Sequence, residues 1–118
     1  MKIPILRLPE VLLICIQCTN DVSNYPCAVS VDRQNISYSL DVFPVVSKSC
    51  AIPGCHIAAF PKGDFTKYND LKERAGNGKL YFRLSSGQMP PADSKSPGLT
   101  ICEVNIITRW INQGAKNN

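Results

Sequence analysis

Residues 100–114 read TICEVNIITRWINQG. Thr100, followed three positions later by Glu103, has the form of a capping box, in which each side chain takes up a backbone N–H of the other residue. Val104, Ile107 and Ile111 recur at steps of three and four, with Ile106 and Trp110 beside them, so a helix here has one apolar side. Gly114 supplies the stop. The stretch predicts a closing helix with an aromatic anchor and sets the fold class as mainly α.

The preceding residues agree. Residues 79–84 read as a short helix, and Gly76-Asn77-Gly78 ends the one before it. That second helix is expected over residues 66–75, capped by Asp64 or Thr66. A first helix is expected over residues 40–49, with Ser39 as N-cap and Asp41 near the positive end of the dipole. Pro44 is tolerated in its opening turn, and Val42, Phe43, Val45 and Val46 give it an apolar side. No hairpin pattern appears in residues 38–118, and no internal repeat is visible in the chain.

Size and composition bound the function. A chain of 118 residues holds one small core, which excludes barrels and doubly wound sheets. At 44% hydrophobic and 19% charged residues it is globular, and nine prolines with seven glycines imply short elements and many loops. The net charge of +4 comes without dense Lys/Arg runs, so no nucleic-acid partner is expected.

Residues 1–17 read MKIPILRLPEVLLICIQ: basic at Lys2 and Arg7, apolar from Val11 to Ile16, then Cys18 followed by Thr19, Asn20 and Asp21. This order is that of a secretory signal. Cys18 at the boundary resembles the lipidated cysteine of a bacterial lipoprotein. The expected organisation is a signal at 1–17, a tether at 18–37 with a strand-like stretch at 27–31, and a helical domain at 38–118. The expected location is the cell envelope, as a periplasmic or outer-membrane lipoprotein anchored to the membrane. Export places the remaining cysteines in an oxidising compartment.

Residues 50–56, CAIPGCH, carry the chemistry. Two thiols followed at once by an imidazole is the arrangement that attaches haem covalently and ligates its iron. The spacer holds four residues where two are usual, and Pro53-Gly54 forms a turn suited to looping them out. On these seven residues alone, a structural Cys50–Cys55 disulfide with an incidental His is an equal reading. Zinc fits less well, because the chain has a single His. Met89, in GQMPP, lies 33 residues after His56, and a thioether is the usual second axial ligand of an electron-transfer haem. The two following prolines stiffen its loop.

Taken together, ISYSLDVFPVVSKSCAIPGCH, GKLYFRLSSGQMPPADSKSPGLT and ITRWINQGAKNN resemble the small c-type cytochrome domains of exported bacterial proteins, the planctomycete type among them. The resemblance covers about residues 36–118. It implies a cytochrome c-like helical domain around one covalent haem c, with thioethers to Cys50 and Cys55 and with His56 and Met89 as the metal ligands. It implies one-electron transfer with redox partner proteins, no small-molecule substrate at the iron, and no enzymatic activity. Arg83, six residues before Met89, is the candidate partner of a haem propionate, with a solvated surface Arg as the equal alternative. Phe60, Phe65, Tyr81 and Phe82 are candidates to line the ring or to form ordinary core, and Lys62, Lys67, Lys72, Arg74 and Lys79 read as a solvated face. Cys27 and Cys102 are the mature cysteines not otherwise used, and a bridge between them and two free thiols are equal readings. Two other classes remain: a haem-free, disulfide-stapled lipoprotein binding module, and a haem peroxidase or sensor, against which GQMPP argues.

Overall fold

A computed structural model describes residues 34–118, and the signal, Cys18 and the stretch at 27–31 lie outside the described residues. Ser37 starts the helical part. Its hydroxyl accepts from the Leu40 N–H at 3.2 Å, while the Asp41 carboxylate accepts from the Ser37 N–H at 2.8 Å. This reciprocal pair closes a π-helical turn over Tyr38–Val42, which runs on into α1, Phe43–Ser49. Cap and start therefore fall two residues ahead of Ser39 and Leu40, because Asp41 satisfies the backbone of Ser37 rather than merely facing the helix dipole. Ile36 is already part of the core.

Helix α2 covers Tyr68–Gly76, α3 covers Lys79–Ser85 and α4 covers Ile101–Asn112. Helix α2 begins later than its sequence suggests because Asp64 ties up Thr66. The Asp64 carboxylate accepts from the Thr66 N–H at 3.1 Å and from its hydroxyl at 2.6 Å, holding a turn outside the helix. Asp70 in turn accepts from the Asp64 N–H at 2.9 Å. Gly78, with φ +77°, makes the left-handed step between α2 and α3 that a side chain would disfavour. The capping box of α4 is present in both directions: Thr100 accepts from the Glu103 N–H, and the Glu103 carboxylate accepts from the Thr100 N–H. Mainly α is the observed class, with no strand among the described residues.

Trp110, Ile107, Leu71, Val42, Val46 and Ile36 are fully buried at the centre. Each such side chain contributes roughly 1.5–3 kcal/mol through removal from water. Tyr38 packs against both Trp110 and Tyr68, and the Tyr68 hydroxyl donates to the Ala115 carbonyl at 2.7 Å. Helix α4 packs mainly on the Tyr38–Val42 turn and on α3, while α2 packs on α3. A Lys48–Glu103 ion pair also joins α4 to α1. Residues 50–67, between α1 and α2, are left as a long loop fixed at both ends by this core.

Candidate functional site

Cys50 closes α1, its N–H donating to the Val46 carbonyl at 2.8 Å. The turn Ile52-Pro53-Gly54-Cys55 forms as expected: the Cys55 N–H donates to the Ile52 carbonyl at 2.9 Å, and Gly54 takes φ +85°. The His56 N–H then donates to the Cys50 carbonyl at 3.1 Å. The backbone thus folds the four-residue spacer out and returns Cys55 and His56 to Cys50. Both thiols are unpaired, so no disulfide closes this turn. Burial, then Cys55, then Glu103 push the Cys50 thiol up to about 11.

His56 is held from three sides. Its Nδ1 lies 3.1 Å from the Gly63 carbonyl, which can only accept, so Nδ1 carries the proton and Nε2 keeps its lone pair. Phe65 stacks on the imidazole at 4.0 Å between centroids with the planes 6° apart, and Phe60 meets it edge-on at 5.0 Å. Burial lowers the His56 pKa; the Gly63 hydrogen bond opposes this and the nearby Arg74 charge adds to it. A neutral imidazole with one nitrogen tied to a carbonyl and the other free is the form in which His ligates metals. The loop that returns Gly63 to His56 passes through Ala58 and Ala59 at φ +41° and +60°. Left-handed backbone at non-glycine residues costs about 1–2 kcal/mol each and persists only where the surroundings enforce it.

Arg83 and Met89 form a second group. The N–H groups of Gln88 and Met89 both donate to the Arg83 carbonyl, at 3.0 and 3.1 Å. The Arg83 guanidinium is engaged by the Gln88 side chain. Met89 is 36% exposed, and Tyr81 and Phe82 on α3 are 49% and 57% exposed. Three large apolar side chains at and just beyond α3 are therefore left partly uncovered. Leu40, Phe43 and Ile101 are exposed elsewhere. Of the aromatic candidates, Phe65 is buried and Phe60 half-buried, both against His56, whereas Tyr81 and Phe82 are surface residues. Of the basic residues read as a solvated face, Lys67 pairs with Asp64 at 3.5 Å and Lys72 lies over the Tyr68 ring at 5.5 Å.

Two observations bear on the site. The Gly63 carbonyl, which carries no motif, accepts from His56 Nδ1, and Phe65, one of the aromatic candidates, stacks on the imidazole itself. Cys102 is disulfide-bonded, and since Cys50 and Cys55 are free its partner lies outside the described residues. Among the described residues, no three His, Cys, Asp or Glu side chains converge as a metal-ion cluster, and no helix is long and apolar enough to cross a membrane. A cavity of about 250 Å³ opens between Asn35, Ile36, Trp110, Gln113, Lys116 and Asn118, but it holds none of these chemical groups. No family model, curated protein or solved structure matches the chain.

Proposed function

We propose that the protein is a monohaem c-type cytochrome that carries single electrons in the cell envelope. The carrying observation is His56: its Nδ1 is tied to Gly63, its Nε2 is free, and two free thiols precede it on the same folded-out turn. These residues fit a covalently attached haem, with Cys50 and Cys55 as attachment points and His56 as the axial ligand. Met89 is the second ligand in this reading, and the uncovered Tyr81 and Phe82 supply apolar surface for a flat ring. A haem held by His56 and Met89 would supply a one-electron redox couple. The chain's own part is to hold the imidazole neutral and aimed, to keep water from its ring with Phe60 and Phe65, and to offer no substrate site. Cys18 is the proposed lipid anchor, and redox proteins the partners.

The deciding experiment is expression with a haem-maturation system, followed by a visible spectrum and a denaturing gel stained for haem. Haem that stays on the denatured chain, and is lost from the Cys50→Ala Cys55→Ala double variant, is the expected result. A colourless protein, or haem released on denaturation, overturns the reading. Cys18→Ser is expected to release the protein from membranes.

A haem-free, disulfide-stapled binding module is the second reading. The Cys102 disulfide favours it. The free Cys50 and Cys55 count against a staple at the CAIPGCH turn.

A further inference from the structure

We infer that Phe65 and Gly63 together set the plane of the His56 imidazole and hence the aim of its free Nε2. The inference rests on His56 being the axial ligand of a haem iron.

The torsion that turns a histidine ring about its Cβ–Cγ bond is soft, with broad minima, so the ring plane is fixed by neighbours rather than by the side chain itself. Phe65 is such a neighbour. Its face lies parallel to the imidazole at 4.0 Å and 6°, so any rotation of His56 drives the ring into the phenyl face or lifts it away. Phe65 cannot follow such a rotation freely, because it is buried and its N–H donates to the His56 carbonyl at 2.9 Å. That bond ties the two backbones side by side and puts their side chains in register.

Gly63 couples this stack to the protonation of the ring. Its carbonyl takes the Nδ1–H at 3.1 Å. At φ +112°, a Cβ on residue 63 would sit 2.8 Å from Phe65 Cε1, closer than carbon atoms approach. A side chain at this position therefore displaces either the phenyl ring or the accepting carbonyl. One residue without a side chain thus fixes both the plane and the tautomer. Phe60, edge-on at 5.0 Å, bounds the ring from another direction. For an electron carrier the consequence is a ligand that keeps one orientation relative to the iron's d orbitals in both oxidation states. Outer partners of this kind tune a ligating histidine generally. Phe65 and Gly63 act through His56 and are positioning residues.

The test uses the full chain as purified, carrying its haem where loaded, with Phe65→Leu, Phe65→Tyr and Gly63→Ala. Phe65→Leu keeps apolar bulk but loses the flat face; Phe65→Tyr keeps the face. Circular dichroism checks that each variant is folded. The chain has a single His, so ¹⁵N-histidine labelling reports one imidazole without overlap. Wild type and Phe65→Tyr are expected to show one Nδ1–H tautomer, and the ferric form a single low-spin electron paramagnetic resonance species. Phe65→Leu is expected to shift or split that species. Gly63→Ala is expected to raise the Nε2–H tautomer from undetectable to a substantial share in haem-free protein. If Gly63→Ala does not fold, Phe65→Leu carries the test through both signals. A Phe65→Leu protein with unchanged tautomer and unchanged resonance overturns the inference. Haem bound normally with Phe65→Leu silent removes the clamp and leaves the cytochrome reading standing. A locked tautomer that Phe65→Leu unlocks, in a protein that never takes haem, removes the cytochrome reading instead.

Discussion

The indole N–H of Trp110 donates to the carbonyl of Lys116, six residues further on, at 2.9 Å. The largest side chain of the core thus has its one polar atom satisfied by the segment that follows its own helix. Gly114 at φ +94° and Ala115 at φ +49° turn the chain back to make that bond.

Trp110→Phe is therefore expected to cost about 2–3 kcal/mol, from lost volume and from a Lys116 carbonyl left without its donor. Trp110→Ala should cost about 3–5 kcal/mol. Urea unfolding followed by far-ultraviolet circular dichroism measures both, and a Trp110→Phe midpoint equal to wild type would show that the indole bond contributes nothing.

How far the molecule could be read in advance depended on how local the stabilising contacts are. The α4 capping box spans three residues and is written in Thr100 and Glu103 alone. The π-helical turn ahead of α1 starts by a related exchange, in which Ser37 caps the Leu40 N–H while Asp41, one residue further on, caps the Ser37 N–H, and so has no familiar pattern. Asp64 and Thr66 both looked like caps for α2, but Asp64 spends its carboxylate on Thr66, and the helix waits until Tyr68. Within the site, Cys50, Cys55, His56 and the Pro53-Gly54 turn were legible from spacing. Gly63 was not, and Phe65 was legible as an aromatic candidate but not as the face stacked on His56, because a backbone carbonyl and an apolar ring acquire such roles only when the loop returns to His56.

Acid should destabilise the fold in two windows. The His56 pKa is lowered, first by burial and then by Arg74, so the folded state takes up a proton less readily than the unfolded chain. Stability from this group is complete above the unfolded value of 6.5 and is lost as pH falls from there through the lowered folded value. Asp64 is lowered chiefly by the Thr66 hydroxyl, and Glu103 by Lys48 and Thr100 against an opposing effect of burial. Their contributions hold above the ordinary carboxylate range, about pH 4, and fade as pH falls to the lowered folded values. Melting temperatures of haem-free protein are expected to fall between pH 7.5 and 5.5 in wild type but not in His56→Asn, and to fall further below pH 4 in both.

The thiol at Cys50 should be slow to alkylate. With a pKa of about 11 it is about 0.1% thiolate at pH 8, and the thiolate is the reactive form. In protein purified before haem attachment, iodoacetamide labelling of Cys50 followed by mass spectrometry should accelerate tenfold per pH unit up to that value. Glu103→Gln removes a negative charge that helps raise the pKa, so it should shift the profile to lower pH.

Met89→Leu tests the second ligand with little change in volume. In the proposed cytochrome the thioether favours ferrous iron, so its loss should lower the reduction potential by on the order of 0.1 V, within the ~0.8 V range that axial ligands span. The variant should also bind cyanide or imidazole at the vacated position. An unchanged potential by redox titration would assign Met89 to surface packing.

Peptide mapping under non-reducing conditions should find Cys102 joined to Cys27, since Cys15 is expected to leave with the signal and Cys18 to carry lipid. A bridge closing a loop of this size stabilises a fold by about 4 kcal/mol. Cys102→Ala should lower the melting temperature to that of the reduced protein.

Consider finally how a pull on the chain ahead of Gln34 would travel. The Gln34 carbonyl accepts from the Gln113 side chain, which in turn accepts from the Ile36 N–H at 2.8 Å. The Tyr38 N–H donates to the Asn118 side chain at 2.8 Å, and the Ser39 N–H to the Asn118 backbone oxygen at 2.9 Å. The Cys102 disulfide lands on α4 as well. Tension entering from upstream is therefore handed to α4 and the residues just after it. These hydrogen bonds meet residues 113–118 and not the loop at 50–65, so in the proposed lipid-anchored protein the His56 loop would stand apart from the point where tension enters.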